Sequence, residues 1–124
     1  MQGPLDGIRV FGMGHAGVGP FAEMELGGLG SDVFKIEQPA GELNHRLPPT
    51  QNGMGIVYIT NNHNKRPIQI DLKNPVHLEA AYQLVATCDV LIENMSPGTV
   101  DRLGLSYEVV SKLNPRIVYV SATA

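Results

Sequence analysis

The sequence feature that most constrains the fold is a glycine-rich stretch at residues 12–20, which reads G-M-G-H-A-G-V-G-P. It follows a short apolar run at residues 8–11 and precedes a segment in which Ala22, Leu26 and Leu29 recur at helical spacing. Because glycine has no Cβ, such a loop turns sharply and leaves its N–H groups accessible. At a junction between a strand and a helix, this arrangement is typical of a site for a phosphate-bearing ligand.

Strand-like and helix-like segments alternate along the rest of the chain. Predicted strands lie at residues 8–11, 32–37, 68–72, 89–93 and 116–121, and predicted helices lie at residues 20–29, 75–87, 99–103 and 106–113. Residues 56–60 fit a strand or a short helix, and the buried face of the second main helix is predicted to be Val76, Ala80 and Leu84. The alternation predicts an α/β fold, a Rossmann-like parallel sheet with helices on both faces. The loops that begin near residues 12, 38, 72 and 94 should then meet at the carboxyl ends of the strands, where ligands bind in such sheets.

The composition is that of a single ordered domain. Hydrophobic residues make up 43% of the 124 residues and charged residues 17%. The net charge is −3 and the few basic residues form no continuous face, so we expect no nucleic-acid partner. No apolar run approaches the ~18 residues of a membrane span, so we expect no membrane association and a cytoplasmic location.

Cysteine and histidine usage argues against two further kinds of site. The single cysteine, Cys88, cannot form an intrachain disulfide, and its apolar neighbours predict a buried thiol. His45, His63 and His77 show no spacing typical of metal ligands. We therefore predict no metal cofactor.

Residues 12–17 also satisfy the motif G-x-G-x-x-G, and Glu37 ends the next predicted strand. Together these features are typical of a dinucleotide site, in which the acid binds a ribose hydroxyl. Proline inside a helix costs about 3 kcal/mol, so we predict that the helix begins at Pro20 and that the glycines form a longer loop than the dinucleotide motif needs. A stand-alone NAD-type nucleotide-binding module, or an assembly module without catalytic activity, is one interpretation of these features.

Six ordered blocks carry a resemblance to a known family. They read P-L-D-G-I-R-V at residues 4–10, G-P-F-A at 19–22, L-G-S-D-V-F-K-I-E at 29–37, N-K-R-P-I at 64–68 with D-L-K at 71–73, D-V-L-I-E-N at 89–94 with P-G at 97–98, and L-G-L at 103–105 with L-N-P-R-I-V-Y at 113–119. With these blocks at this spacing, the chain resembles the N-terminal portion of family III CoA-transferases, the formyl-CoA and carnitine-CoA transferase group that is related to acyl-CoA racemases.

The resemblance implies that residues 1–124 are a Rossmann-like CoA-binding region that stops before the catalytic half. Coenzyme A, as an acyl-CoA substrate, is the implied ligand. The positions that match CoA-contacting positions of the family are Gly17, Val18, Gln38, Ile70, Asp71, Leu72, Lys73, Asn94, Met95, Ser96 and Arg102. Lys73 and Arg102 supply cations for the CoA phosphates. Four positions depart from the family pattern: Gly12 replaces a usual acid, Gly17 a residue that is often larger, Gln38 a frequent arginine and Met95 an aromatic phenylalanine.

The resemblance also implies a reaction. An aspartate attacks the acyl-CoA thioester, and CoA passes to a second carboxylic acid through an aspartyl-CoA intermediate. None of the aspartates in this sequence matches that nucleophile, so we assign no catalytic residue and place the nucleophile outside the chain. We expect the chain alone to be inactive, and to act as a homodimer or with a complementary chain that carries the catalytic half. The transferase branch and the racemase or isomerase branch both remain open.

Overall fold

The computed structural model describes residues 2–123. Met1 and Ala124, the ends of the predicted 1–124 region, lie outside the described residues. In chain order the elements are β1 (Arg9–Gly12), α1 (Val18–Gly28), β2 (Asp32–Glu37), a 3-10 turn (Leu43–His45), β3 (Thr50–Gln51), β4 (Met54–Gly55), α2 (Ile56–Asn61), β5 (Lys65–Gln69), α3 (Pro75–Val85), β6 (Val90–Glu93), α4 (Thr99–Arg102), α5 (Tyr107–Leu113) and β7 (Val118–Ser121).

Five of these strands form one parallel sheet in the order β5-β2-β1-β6-β7. This is the doubly wound order, in which the chain adds strands outward from β1 first on one side and then on the other. Strands β3 and β4 form a small antiparallel hairpin within residues 38–55, a segment that we call the excursion. The predicted parallel α/β sheet is confirmed.

Side chains of the central strands alternate between two faces of the sheet. Phe11, Phe34 and Leu91 point into a core that also contains residues of α3 and α5. Their neighbours Val10 and Val33 point the other way, toward residues of α1. Helices therefore cover both faces, as predicted.

Local signals in the sequence placed several elements correctly. Strand β2 has the predicted bounds, and Asn74 caps α3 by accepting a hydrogen bond from the Val76 N–H at 3.0 Å, with Pro75 at the first helical position. The ambiguous residues 56–60 lie in a helix, α2. Cys88 is buried, as predicted.

Helix α1 begins at Val18, so the predicted start at Pro20 is wrong. The first helical bond runs from the Phe21 N–H to the Gly17 carbonyl at 3.0 Å. Pro20 therefore lies in the first turn, where a helical N–H has no partner within the helix and the missing proline N–H costs little. The proline penalty applies to helix interiors and could not fix the start of this helix.

The buried face of α3 also differs from the predicted one. The predicted face comprised Val76, Ala80 and Leu84. In the structure Ala81 and Val85 are fully buried, whereas Val76 is 76% exposed. The buried stripe is thus rotated by one position, because it is set by packing against α5 and β6 rather than by the hydrophobicity of α3 alone.

Strand β5 begins at Lys65 and ends at Gln69, earlier than the predicted span of residues 68–72. Lys65 and Arg66, predicted to lie in a polar loop, are therefore strand residues paired with Val33 and Phe34 of β2. No helix between residues 2 and 123 is long and apolar enough to cross a membrane.

Candidate functional site

A cleft of about 340 Å³ opens at the carboxyl ends of β1, β2 and β6. Three loops border it: the glycine loop after β1, the start of the excursion after β2, and the loop after β6. The residues that line it are Met13, Gly14, His15, Ala16, Lys35, Ile36, Glu37, Gln38, Gly41, Glu42, Leu43, Met95, Ser96 and Thr99. Convergence of these three loops was predicted from the order of the elements, but the loop after β5 does not reach this cleft.

The glycine loop is fixed by side chains from distant parts of the chain. The Gly14 N–H donates to Glu23 Oε1 at 2.7 Å, and the Gly14 carbonyl accepts from Lys35 Nζ at 3.0 Å. Asn94 holds the next residue from the other side: its Oδ1 accepts from the His15 N–H and its Nδ2 donates to the His15 carbonyl, both at 2.9 Å. The loop is therefore held in one conformation before any ligand binds, which lowers the entropic cost of binding.

A buried ion pair with Lys65 holds the Glu23 side chain in place. The two side chains are 0% and 1% exposed, and Lys65 Nζ lies 2.9 Å from Glu23 Oε2. Lys65 also donates to the Pro20 carbonyl at 2.8 Å and to Asn62 Oδ1 at 2.9 Å, so all three ammonium hydrogens have acceptors. Burial lowers the pKa of Lys65, and the Glu23 carboxylate opposes that shift.

Glu42 of the excursion joins β2 to the glycine loop. Its Oε1 accepts from the Ala16 N–H at 2.8 Å, and its Oε2 lies 2.9 Å from Lys35 Nζ. The Lys35 contact is not aligned as a hydrogen bond, so it is an ion pair held by charge alone. Asn44 Nδ2 donates to the Ala16 carbonyl at 2.7 Å, so both polar groups of Ala16 are held by side chains.

Two glycines are required where the loop meets α1. A Cβ on Gly14 would lie 2.5 Å from Glu23 Oε1 and 2.6 Å from the Gly19 carbonyl carbon, and a Cβ on Gly19 would lie 2.6 Å from Asn94 Oδ1. Gly17, by contrast, has open space around it. Gly14 and Gly19 therefore allow close packing between the loop, α1 and Asn94, whereas Gly17 does not serve this purpose.

Helix α1 begins with accessible backbone donors. No side chain caps it, and among the hydrogen bonds of residues 2–123 none is donated by the N–H groups of the exposed residues Gly17 and Val18. These groups carry the partial positive charge of a helix N-terminus. They lie next to the cleft residue Ala16 and can donate to an anionic or carbonyl oxygen.

The acid of the dinucleotide motif, Glu37, is bound by another side chain of the protein. Glu37 is 8% exposed and accepts a hydrogen bond from the Tyr58 hydroxyl at 2.5 Å. Burial, together with this bond to Glu37, raises the pKa of Tyr58, so the hydroxyl stays protonated and continues to donate. The carboxylate that a ribose would need is thus already engaged, which argues against an NAD-type site.

Three predicted site residues line the cleft: Gln38, Met95 and Ser96. Gly17 and Val18 lie beside it at the start of α1. Asn94 binds the His15 backbone with both polar atoms of its side chain, so its observed role is to join two loops. Arg102 lies at the edge, where its Nη2 donates to the hydroxyl of the cleft residue Thr99 at 3.1 Å.

The remaining predicted site residues, Ile70–Lys73, follow β5 and lie away from the cleft lining. Ile70 and Leu72 are 6% and 8% exposed and belong to the apolar core. Asp71 Oδ1 accepts from the Lys73 N–H at 3.0 Å, which shapes the turn into α3, and Lys73 is exposed. Lys73 is therefore the member of this group with a charge free to meet a ligand.

The sequence analysis missed the buried charges that support the loop, namely Glu23, Lys35, Glu42 and Lys65. One signal was available for Glu23, because Gly12 stands where an acid is usual in the resembled family. A Cβ on Gly12 would lie 2.6 Å from Glu23 Cδ, so the carboxylate of α1 fills the space beside this glycine. The other three partners are far apart in sequence and gave no local sign of pairing.

Within the part of the chain that the structure describes, no three His, Cys, Asp or Glu side chains come together in a way that could hold a metal ion. The cleft has a mixed charge, with Lys35 facing Glu37 and Glu42, and apolar walls from Met95 and Leu43. Apolar walls with a few polar groups are typical of a site for a small molecule.

The chain is similar to enzymes that transfer coenzyme A. It is 38% identical over 122 residues to succinyl-CoA:glutarate CoA-transferase of Mus musculus, covering 97% of this chain and 28% of that protein. It is 37% identical over 123 residues to formyl-CoA:oxalate CoA-transferase of Afipia carboxidovorans, covering 98% of this chain and 29% of that protein. The chain thus spans less than a third of the length of these relatives.

Solved structures agree with the sequence relatives. A CAIB/BAIF family protein from Brucella suis superimposes with a TM-score of 0.91 at 33% identity, over 98% of this chain and 33% of that one. A hypothetical protein from Mycobacterium tuberculosis gives the same TM-score and identity, over 98% of this chain and 34% of that one. The family model described as CoA-transferase family III matches residues 5–124. The chain therefore belongs to CoA-transferase family III.

Proposed function

We propose that this chain is the CoA-binding portion of a family III CoA-transferase and that the cleft at the start of α1 receives part of an acyl-CoA thioester. The observation that carries the proposal is that a family match over residues 5–124 coincides with a pre-formed cleft at the strand ends. Ligands of doubly wound sheets bind at that edge.

The charges around the cleft suit the parts of coenzyme A. The uncharged pantetheine arm fits between the apolar walls Met95 and Leu43, and the phosphates remain near the exposed cations Lys73 and Arg102. The free N–H groups of Gly17 and Val18 donate to an oxygen of the ligand. The remaining predicted positions, Gln38, Asn94, Ser96 and Ile70–Leu72, shape or border this path.

The proposed reaction moves CoA between two carboxylic acids. An aspartate carboxylate attacks the thioester carbonyl and releases the CoA thiolate, which leaves a mixed anhydride. The thiolate then attacks the aspartyl carbonyl, releases the first acid and forms an aspartyl-CoA thioester. A second carboxylic acid takes CoA by the same two steps in reverse. The aspartate belongs to polypeptide outside this chain, and the 124 residues bind and orient CoA.

The chain needs a partner for this reaction. The relatives are more than three times as long, since the chain covers 28% of the mouse enzyme. Helix α2 presents Ile56, Val57 and Ile59 with 39%, 46% and 39% of their surface exposed, and such a row suits an interface. The polypeptide that carries the aspartate is the partner proposed for the reaction, and a second copy of the chain is proposed as the partner in a homodimer.

Calorimetric titration with CoA and with NAD tests the binding role. We expect saturable binding of CoA and none of NAD, and NAD binding without CoA binding would contradict the proposal. A parallel assay of acyl-CoA turnover tests the division of labour, since robust CoA transfer by the 124-residue chain alone would show that the nucleophile is within it.

A further inference from the structure

The Ala16 peptide is held by the excursion in an unusual conformation. Ala16 has a φ of +61°, in the left-handed region that favours glycine over residues with a Cβ. Its N–H and its carbonyl are both bound, by Glu42 Oε1 at 2.8 Å and by Asn44 Nδ2 at 2.7 Å. A conformation of this kind persists only where surrounding contacts determine it, and here two side chains of one segment do so.

This turn decides where the next two N–H groups point. Gly17 follows Ala16 as the N-cap of α1, and the exposed residues with unbound N–H groups are Gly17 and Val18. A different φ at Ala16 would rotate the peptide plane that leads into Gly17 and redirect those donors.

Glu42 also connects the excursion to the central sheet. Its side chain is 7% exposed, and it is tied to β2 through Lys35 Nζ at 2.9 Å. Lys35 in turn donates to the Gly14 carbonyl at 3.0 Å. One carboxylate therefore links the excursion, the sheet and the glycine loop.

We propose that Glu42 is a positioning residue for CoA binding: by holding the Ala16 peptide in its left-handed turn, it orients the N–H groups of Gly17 and Val18 toward the ligand. This inference rests on the proposed function. Glu42 acts through the Ala16 backbone, so its effect on affinity depends on the conformation of residue 16.

The experiment compares Glu42→Ala with Glu42→Gln in the 124-residue chain. Both variants lose the charge that pairs with Lys35, but glutamine keeps a carbonyl oxygen for the Ala16 N–H. We expect CoA to bind about tenfold more weakly to Glu42→Ala than to Glu42→Gln in calorimetric titration. Amide hydrogen exchange of Ala16, whose N–H is bound by residue 42, should be faster in Glu42→Ala than in Glu42→Gln. Equal affinity in the two variants would overturn the inference.

Ala16→Gly separates positioning from a general loss of structure. Glycine adopts a positive φ without a Cβ penalty, so Ala16→Gly should restore part of the CoA affinity lost in Glu42→Ala. A purely structural role of Glu42 predicts no such rescue. Should Glu42→Ala fail to fold, Asn44→Ala removes the other bond to Ala16 without changing a charge and is read in the same way.

The result also distinguishes the two proposals. Absence of CoA binding by the unchanged chain would contradict the proposed function. Amide exchange of Ala16 would then decide the inference, because equal exchange in Glu42→Ala and Glu42→Gln would show that Glu42 does not hold the turn.

Discussion

The two faces of the sheet bury different kinds of side chains. The face covered by α3 and α5 contributes to one cluster of thirteen buried residues, all apolar, whereas the core beneath α1 has three, Val10, Val33 and Ile92. The α1 side instead buries the pair of Glu23 and Lys65 near the carboxyl ends of the strands. Apolar burial stabilises without direction, but buried charges are tolerated only when paired in a fixed geometry. The apolar face therefore stabilises the fold, and the charged face fixes the glycine loop.

Removing one charge of the buried pair should give the largest effect. Lys65→Met leaves the Glu23 carboxylate without its cation in a site that is 0% exposed, and we expect the free energy of unfolding to fall by about 4 kcal/mol. Urea denaturation measures this change. The control is Lys65→Met combined with Glu23→Gln, which removes both charges and should recover much of the loss. A double variant as unstable as Lys65→Met would contradict the account.

A cavity on the apolar face should destabilise the protein without altering the loop. Leu91 is 0% exposed in the apolar cluster, so Leu91→Ala should lower the free energy of unfolding by about 3 kcal/mol. Under native conditions the amide resonances of residues 14–16 should keep their positions, whereas Lys65→Met should shift them. Loop shifts of equal size in both variants would mean that the faces are not separable.

Close packing around Gly14 predicts a smaller loss of stability when this residue is replaced. Gly14→Ala places a Cβ 2.6 Å from the Gly19 backbone, and we expect about 2 kcal/mol lower stability from overpacking. Gly17→Ala is the matched control, because its Cβ would meet no atom within 4 Å and its φ of −115° suits alanine. Denaturation midpoints measure both changes, and similar losses in the two variants would count against the packing described for Gly14.

The two faces should also respond to pH with opposite signs. Burial raises the pKa of the Cys88 thiol from 9.0 to about 11, so the folded state keeps its proton longer and stability from this group is lost as pH rises through that range. Burial lowers the pKa of Lys65 below 10.5, so the folded state binds fewer protons and this contribution grows as pH rises toward 10.5. Denaturation midpoints against pH provide the measurement. Cys88→Ala should flatten the alkaline decline, and the double variant of Lys65 and Glu23 should steepen it. Changes of the same sign in both would contradict the assignment.

Elements whose bounds are set by neighbouring residues could be predicted from the sequence. Asn74 and Pro75 fixed the start of α3, and the apolar run of β2 fixed its bounds. The order of strands and helices predicted that four loops meet at the carboxyl ends of the strands; three of them border the cleft, and the loop after β5 does not. The family assignment followed from motifs spread over the whole chain.

The supporting charges of the site could not be predicted in the same way. Lys35 lies within a strand pattern, and its partner Glu42 lies in the excursion. Glu23 lies in a helix beside the predicted apolar stripe, and its partner Lys65 follows 42 residues later. Their pairing depends on the order β5-β2-β1, which brings Lys65 beside β2. The predicted buried face of α3 was wrong for a related reason: packing against α5 and β6 decided which of the apolar residues of α3 are buried.

Chemical-shift mapping of the 124-residue chain with CoA tests the central claim most directly. The account predicts saturable shifts at the amides of Gly17, Val18, Met95 and Ser96, with the α3 and α5 face unchanged. Addition of NAD at the same concentration should leave these resonances in place. CoA-induced shifts confined to the α3 and α5 face, or shifts at the start of α1 with NAD and none with CoA, would contradict the claim that this edge of the sheet binds coenzyme A.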